Sequence, residues 1–218
     1  MSALALSTMM TDEVFVPDYV LPDPMVCLDG TPVSSAQAWI EGRRPEILDL
    51  FKRHIYGRSY GRPQNLAFES TTDPAALDGL AIRKQVAVRF SERDEDCRMD
   101  LLMYLPPPRS APIPLFVGLN FLGNHTVHPD PAIPLARGWV PAANDGHLAP
   151  ERLRGTRASR WPVERILARG YGLATIYCGD LDPDFDDGFR NGVHPLFYQD
   201  GQAEPAEDEW GAIGAWAW

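Results

Sequence analysis

Several short stretches bring together residue types that do chemistry once folding holds them in place. Residues 57–61, GRSYG, match G-x-S-x-G, the pattern of a serine nucleophile on a sharp turn. That chemistry needs a strand before Ser59 and a helix after it, so that Oγ stands at the strand's carboxyl tip. A helical apolar pattern precedes Ser59 instead, and Tyr60, Gly61, Arg62 and Pro63 start no helix. Ser59 is therefore read as part of a helix-ending loop. His125 and His128 form H-x-x-H, whereas a metalloprotease helix uses H-E-x-x-H to put both imidazoles on one face. The shorter spacing, the missing glutamate and Pro129 argue against zinc. Asp180, Asp182 and Asp184 stand at positions one, three and five of a calcium-type loop, yet Phe185 and Asn191 occupy the places of its Gly and Glu. These aspartates are read as turn-capping groups. No metal and no cofactor is expected.

Two loops are better candidates for binding. NFLGNHT, residues 120–126, follows a continuous apolar run, IPLFVGLNF, at the end of an expected strand. Ligands of open α/β sheets sit outside the carboxyl ends of the strands. Gly123 permits close backbone approach there, Asn120, Asn124 and His125 offer hydrogen-bonding groups, and Phe121 lies in the same loop. The second loop, GFRNGVHPLF (188–197), sets Arg190, Asn191 and His194 among aromatic residues. Arginine forks onto carboxylates and aromatic faces stack on sugar rings. The candidate site residues are thus Asn120, Phe121, Gly123, Asn124, His125, Arg190 and His194. A base role for His194 would need an activated serine, and no serine lies in an elbow context, so no catalytic residue is assigned.

The elements that must position these groups follow from periodicity. Ser34 and Gln37 have capping-box spacing and open a short helix over SAQAWIEGR. Pro45 suits the first turn of a second helix, PEILDLFKRHIYG, with Gly57 at its C-cap. Residues 81–90 alternate, with Lys84, Val86, Val88 and Phe90 in one phase, and 99–106 form another strand, joined by the polar loop SERDED. The run 113–121 and the run from Leu173 to Cys178 are apolar throughout, as strands covered on both faces are. The helix expected in RWPVERILARG lies between them, so the two should be parallel. The order is an antiparallel pair, then strand, helix, strand, helix.

Composition narrows the function classes. A net charge of −10 argues against nucleic acid and anionic membrane surfaces as partners. No run approaches the roughly 18 apolar residues of a membrane span. Cys27, Cys97 and Cys178 are odd in number and widely spaced, giving neither a disulfide framework nor a metal pair. The N-terminal ALALS run is too short for a secretory signal and no basic residue precedes it, which places the sequence as given in the cytoplasm. Residues 1–20 read as a flexible lead-in and 21–218 as one domain.

At the other end, AIGAWAW stops inside a helical apolar pattern that Asp208 or a neighbour would cap. Three tryptophans crowd the last nine residues, so the domain is expected to be incomplete. The stretches RPEILDLFKRHIYGR, GLNFLGNHTV, RWPVERILARGYGLATIYCGDLDPDFDDGFRNGVHPLF and DEWGAIGAWAW together resemble the N-terminal half of bacterial glucuronoyl esterases. These carbohydrate esterases, often called acetylxylan esterase-like, cleave the ester between 4-O-methyl-glucuronic acid on xylan and lignin alcohols. The resemblance implies the N-terminal part of an α/β-hydrolase three-layer sandwich and a metal-independent Ser–His–acid mechanism. It also implies a G-x-S-R-x-G elbow after the next strand, which would fall beyond Trp218, and places the loop from Asn120 to Thr126 beside the active site. The implied substrate, for the full-length family member, is glucuronoxylan or a lignin–carbohydrate ester; whether a second polypeptide half completes the site is left open by the sequence. By itself the chain is expected to be inactive. The alternatives are a non-catalytic module binding uronic-acid glycans through Asn120, His125 and Arg190, or a degenerate gene product.

Overall fold

The computed structural model describes residues 13–63, 65–91, 97–107, 112–141 and 146–218. The N-terminal ALALS run and residues 92–96 of the SERDED loop lie outside the described residues. The chain forms two compact units, residues 1–50 and 51–218.

In the first unit, turn chemistry and one buried arginine organise the backbone. Asp23 and Asp29 accept the N–H groups of Met25 and Thr31, each at 2.8 Å, and Gly30 takes a left-handed φ of 86°. Buried Arg43 donates to the Pro24 carbonyl at 3.2 Å and to Glu46 at 3.1 Å. Two separate helices were expected over this region; a single helical run forms instead. It consists of α1 (Ala36–Ala38), a π-helical turn (Trp39–Arg43) and α2 (Arg44–His54). Its cap is Ser35 rather than Ser34, accepting from the Ala38 N–H at 3.1 Å. The π turn explains how the run passes Pro45, which cannot donate and would collide with the carbonyl four residues back in a regular helix. Widening that turn moves the carbonyls away.

The second unit is built on five strands: β1 (Ala67–Ala76), β2 (Ala81–Arg89), β3 (Arg98–Leu105), β4 (Leu115–Asn120) and β5 (Gly172–Tyr177). Their spatial order is β1-β2-β3-β5-β4. The first three form an antiparallel meander, and β5 runs antiparallel to β3 but parallel to β4. The parallel pair and its crossover through α3 (Val163–Ala168) appear where the sequence placed them. Gly170, with φ 82°, ends the helix. Strand β1 was not anticipated. Its sequence, AFESTTDPAA, is polar and almost wholly exposed, and Pro74 lies where the register slips between Asp73 and Ala76. Pairing with β2 at the sheet edge makes it a strand, and proline is tolerated there.

The pleat divides the strands between two cores. Leu102, Tyr104 and Leu173 pack on one face against Val163 and Leu167 of α3 and against Val127 and Ile133. A buried ionic clamp holds that covering loop down: Asp130 accepts from the Tyr104 hydroxyl at 2.8 Å and from Arg83. On the other face Val88, Phe90 and Cys97 meet Leu181, Val193, Trp210 and Ala215. Helix α4 (Ala212–Ala217) covers part of that face. Asp208 does not cap it: Gly211 is the N-cap, and Asp208 instead accepts the Arg58 N–H at 2.8 Å through its carbonyl and pairs with the Arg58 guanidinium. The rest of the face opens into an apolar groove of about 680 Å³ floored by Val88, Met99, Val117, Leu119 and Ile176. Strand β4, which borders it, is an open edge of the sheet, with Phe116 and Val117 exposed.

Candidate functional site

The carboxyl ends of β4 and β5 lie side by side, Asn120 opposite Tyr177, and the 120–126 loop leaves from there. A buried polar lattice fixes its shape. The Asn120 amide donates to Asn124 Oδ1 at 2.7 Å and to Thr175 Oγ1 at 3.0 Å, and its Oδ1 accepts the Gly123 N–H at 2.8 Å. Asn124 in turn donates to the Asp100 carbonyl at 2.6 Å, tying the loop to β3. Gly123 adopts φ 97° and ψ 147°, and a Cβ there would stand 2.8 Å from both the His125 ring and the Ala136 methyl. Glycine is therefore required twice over, by conformation and by contact.

The seven candidates separate in space. Asn120, Gly123, Asn124 and His125 are buried, and the two asparagines spend their donors on bracing the loop. Phe121 is 52% exposed and meets Trp216 edge-on at 5.7 Å, so it is the member of the loop that presents a surface. His125 has no exposed atoms, and neither ring nitrogen has a hydrogen-bond partner among the described residues. Burial, helped by the Arg154 guanidinium, pushes its pKa down to about 4, so it is neutral at ordinary pH. His128 points elsewhere. Its Nδ1 accepts the Asp130 N–H at 3.0 Å, which leaves Nε2–H to donate to Glu164 at 2.9 Å and holds the Glu164 carboxyl below its usual range. The two histidines share no site, and no metal-holding cluster occurs among the described residues.

Arg190 is exposed, whereas His194 is fully buried, 4.7 Å from the Phe189 ring and 5.5 Å from that of Trp210. His194 Nδ1 lies 3.3 Å from Asp182 Oδ1 without the alignment of a hydrogen bond. A ring so enclosed joins two chain segments and presents no edge to solvent. Asp187 closes the acidic loop by accepting the N–H groups of Phe189 and Asn191 at 2.8 and 2.9 Å. Of the three aspartates read as turn caps, Asp180 instead accepts the Asp100 N–H of β3, and Asp182 Oδ1 is buried without a hydrogen-bond partner among the described residues. Ser59 stays in an exposed loop after α2.

The surroundings of one aspartate, read from the sequence only as a turn cap, were missed. Asp180, just past β5, accepts the Asp100 N–H at 3.0 Å and adjoins Arg98 and Arg137. Packing around its carboxyl outweighs these partners and raises its pKa to about 7. No local pattern announces this, because the crowding comes from β3 and the 135–138 segment.

Comparison with known proteins bears on what such an arrangement belongs to. No family model matches the chain. The curated carbohydrate esterase MZ0003, from an unknown prokaryotic organism, is 45% identical over 210 residues, 94% of this chain and 48% of that protein. A solved glucuronoyl esterase from Solibacter usitatus is also 45% identical and superposes with a TM-score of 0.84, over 94% of this chain and 53% of that one. The chain is a homologue of the glucuronoyl esterases. A promiscuous CE15 esterase from a marine bacterial metagenome agrees at 44% identity and a TM-score of 0.76, over 94% of this chain and 52% of its own. The chain thus spans about half the length of these glucuronoyl-esterase relatives, and its five-stranded mixed sheet is the α/β fold they share.

Proposed function

We propose that the chain is part of a serine carbohydrate esterase that hydrolyses glucuronoyl esters between xylan and lignin. It would contribute the substrate-side loops and half of the sheet. The observation that carries this reading is the 45% identity across 94% of the chain to a glucuronoyl esterase with the same sheet. The open β4 edge and the adjoining 680 Å³ apolar groove support it, since a parallel strand and its covering helix would fit there. In this reading Phe121 and Trp216 line the approach to the ester, while Asn120 and Asn124 hold the loop in shape. The Ser–His–acid residues would come from the portion of the relatives that this chain does not match. Without a nucleophile no acyl-enzyme forms, so the 218 residues alone should not turn over.

The test uses a methyl ester of 4-O-methyl-glucuronate. The purified chain should give no turnover, and joining the unmatched portion of the Solibacter usitatus enzyme after Trp218 should give turnover that a serine-directed inhibitor abolishes. Inhibitor-sensitive turnover by the chain alone would overturn the division of labour. A soluble, folded fusion with no turnover would count against the esterase reading itself.

A further inference from the structure

The two edges of the five-stranded sheet are built differently. At one edge β1 carries Glu69, Asp73 and Pro74, and its register breaks between Asp73 and Ala76. Charges, proline and irregular register are what keep an exposed edge from pairing with another chain. At the other edge β4 reads LFVGLN, with no charge, no proline and an unbroken register against β5. Its residues Leu115, Phe116 and Val117 are exposed, Val117 by 68%.

The backbone of β4 is aimed for pairing. The Gly172 N–H donates to the Pro114 carbonyl at 2.9 Å, so the alternation of the ladder turns the peptide groups of Phe116, Gly118 and Asn120 toward β5. Leu115, Val117 and Leu119 then present their N–H and C=O groups outward, where no strand meets them among the described residues. One antiparallel register between two copies pairs all three of these residues with one another, the one whose two-fold axis passes through Val117. It sets Leu115 against Leu119 of the second copy, Val117 against its counterpart and Phe116 against Gly118. Gly118 has no side chain, and the Trp161 ring lies over it, so an aromatic ring set opposite finds room and an apolar neighbour. Centring on Gly118 instead would set Phe116 against the buried Asn120 amide.

We propose that β4 pairs antiparallel with β4 of a second copy of this chain, about a two-fold axis at Val117, joining the two sheets into one. The apolar grooves floored by Val117 and Leu119 then lie side by side across the axis. This pairing is a property of the 218-residue chain and is independent of the esterase reading.

A pair of six-residue strands buries less than the roughly 1,200 Å² of a standard interface, so a dissociation constant on the order of 10 μM is expected. Sedimentation of the purified chain at about 100 μM should give twice the 24.3 kDa monomer mass, falling to the monomer on dilution. Val117→Lys sets like charges opposite each other and should weaken the dimer at least about tenfold with an unchanged thermal melt. In a Cys27→Ser background, Val117→Cys should give a disulfide-linked dimer on mild oxidation, because the facing Cα atoms of a hydrogen-bonded pair are about 5.5 Å apart. Thr72→Cys on the guarded edge should not cross-link, and the remaining cysteines, Cys97 and Cys178, are buried. Each copy carries a net charge of −10 and β4 carries none, so added salt should tighten the dimer. A monomer at about 100 μM, larger aggregates without a discrete dimer, a dimer that dissolves in salt, or Val117→Cys that fails to cross-link would each overturn the proposal.

Discussion

His125 and Asp180 should oppose each other in the dependence of stability on pH, and removing Asp180 should expose the effect of His125. The folded chain keeps His125 neutral down to about pH 4, whereas its ordinary value is 6.5. Between those values the unfolded chain binds the extra proton, so the stability due to His125 is full above 6.5 and lost as pH falls toward 4. Asp180 has the reverse sign. Folded, it keeps its proton to about pH 7 instead of 3.8, so its contribution is full below 3.8 and lost as pH rises through 7. From pH 5 to 6.5 the linkage relation gives a gain of about 1.5 kcal/mol from His125 and a loss of about 2 kcal/mol from Asp180. The parent chain should therefore be nearly flat over that range. Asp180→Asn keeps an acceptor for the Asp100 N–H but removes the titration, so the variant should gain about 1.5 kcal/mol between pH 5 and 6.5. Carboxylates held low, such as Asp130 and Glu151, act chiefly below this window. Urea unfolding followed by tryptophan fluorescence at low protein concentration measures the difference, and six tryptophans give ample signal. A flat profile in the variant, or a steep one in the parent, would refute the reasoning.

Other expectations concern the glycine, the sheet edge and the serine. Gly123→Ala places a methyl 2.8 Å from the His125 ring on a backbone that only glycine adopts readily, and should lower stability by about 1–3 kcal/mol in the same assay. Gly57→Ala should be at least as damaging, since its Cβ would stand 2.2 Å from the Glu209 carbonyl; a variant melting with the parent would contradict the packing. Dye binding by the isolated chain should be high because of the apolar groove, and Val117→Lys on the open edge should reduce both dye binding and aggregation by light scattering. Ser59→Ala should leave the thermal melt unchanged, and should not alter turnover in the fusion described above.

What could be read from the sequence follows from how locally each feature is determined. The apolar run of β5 and the phase of Val86, Val88 and Phe90 were legible because burial is written directly into those residues, whereas β4 was legible as a strand but not as the doubly covered one its apolar run implied, since Leu115, Phe116 and Val117 are exposed. Strand β1 was not legible, since its polar residues and Pro74 become a strand only by pairing with β2. The merging of the two N-terminal helices depended on a π turn that no propensity signals. At the site, Gly123 was legible as a point of close backbone approach, whereas Asn120 and Asn124, read as groups offered to a ligand, brace the loop instead. The enclosure of His125 and His194 and the crowding of Asp180 were not, because each arises from segments distant in sequence.

The strand order also sets a timetable for synthesis. Strands β1 to β3 pair with their sequence neighbours and can close as soon as they leave the ribosome. Strand β4 has no such neighbour: its partner β5 inserts between it and β3 only after residues 121–171 have been made. Through that interval the apolar residues Leu115, Phe116 and Val117 belong to a nascent segment with nothing to pair with. It is there that a chaperone, or a pause in translation, would have most effect on yield.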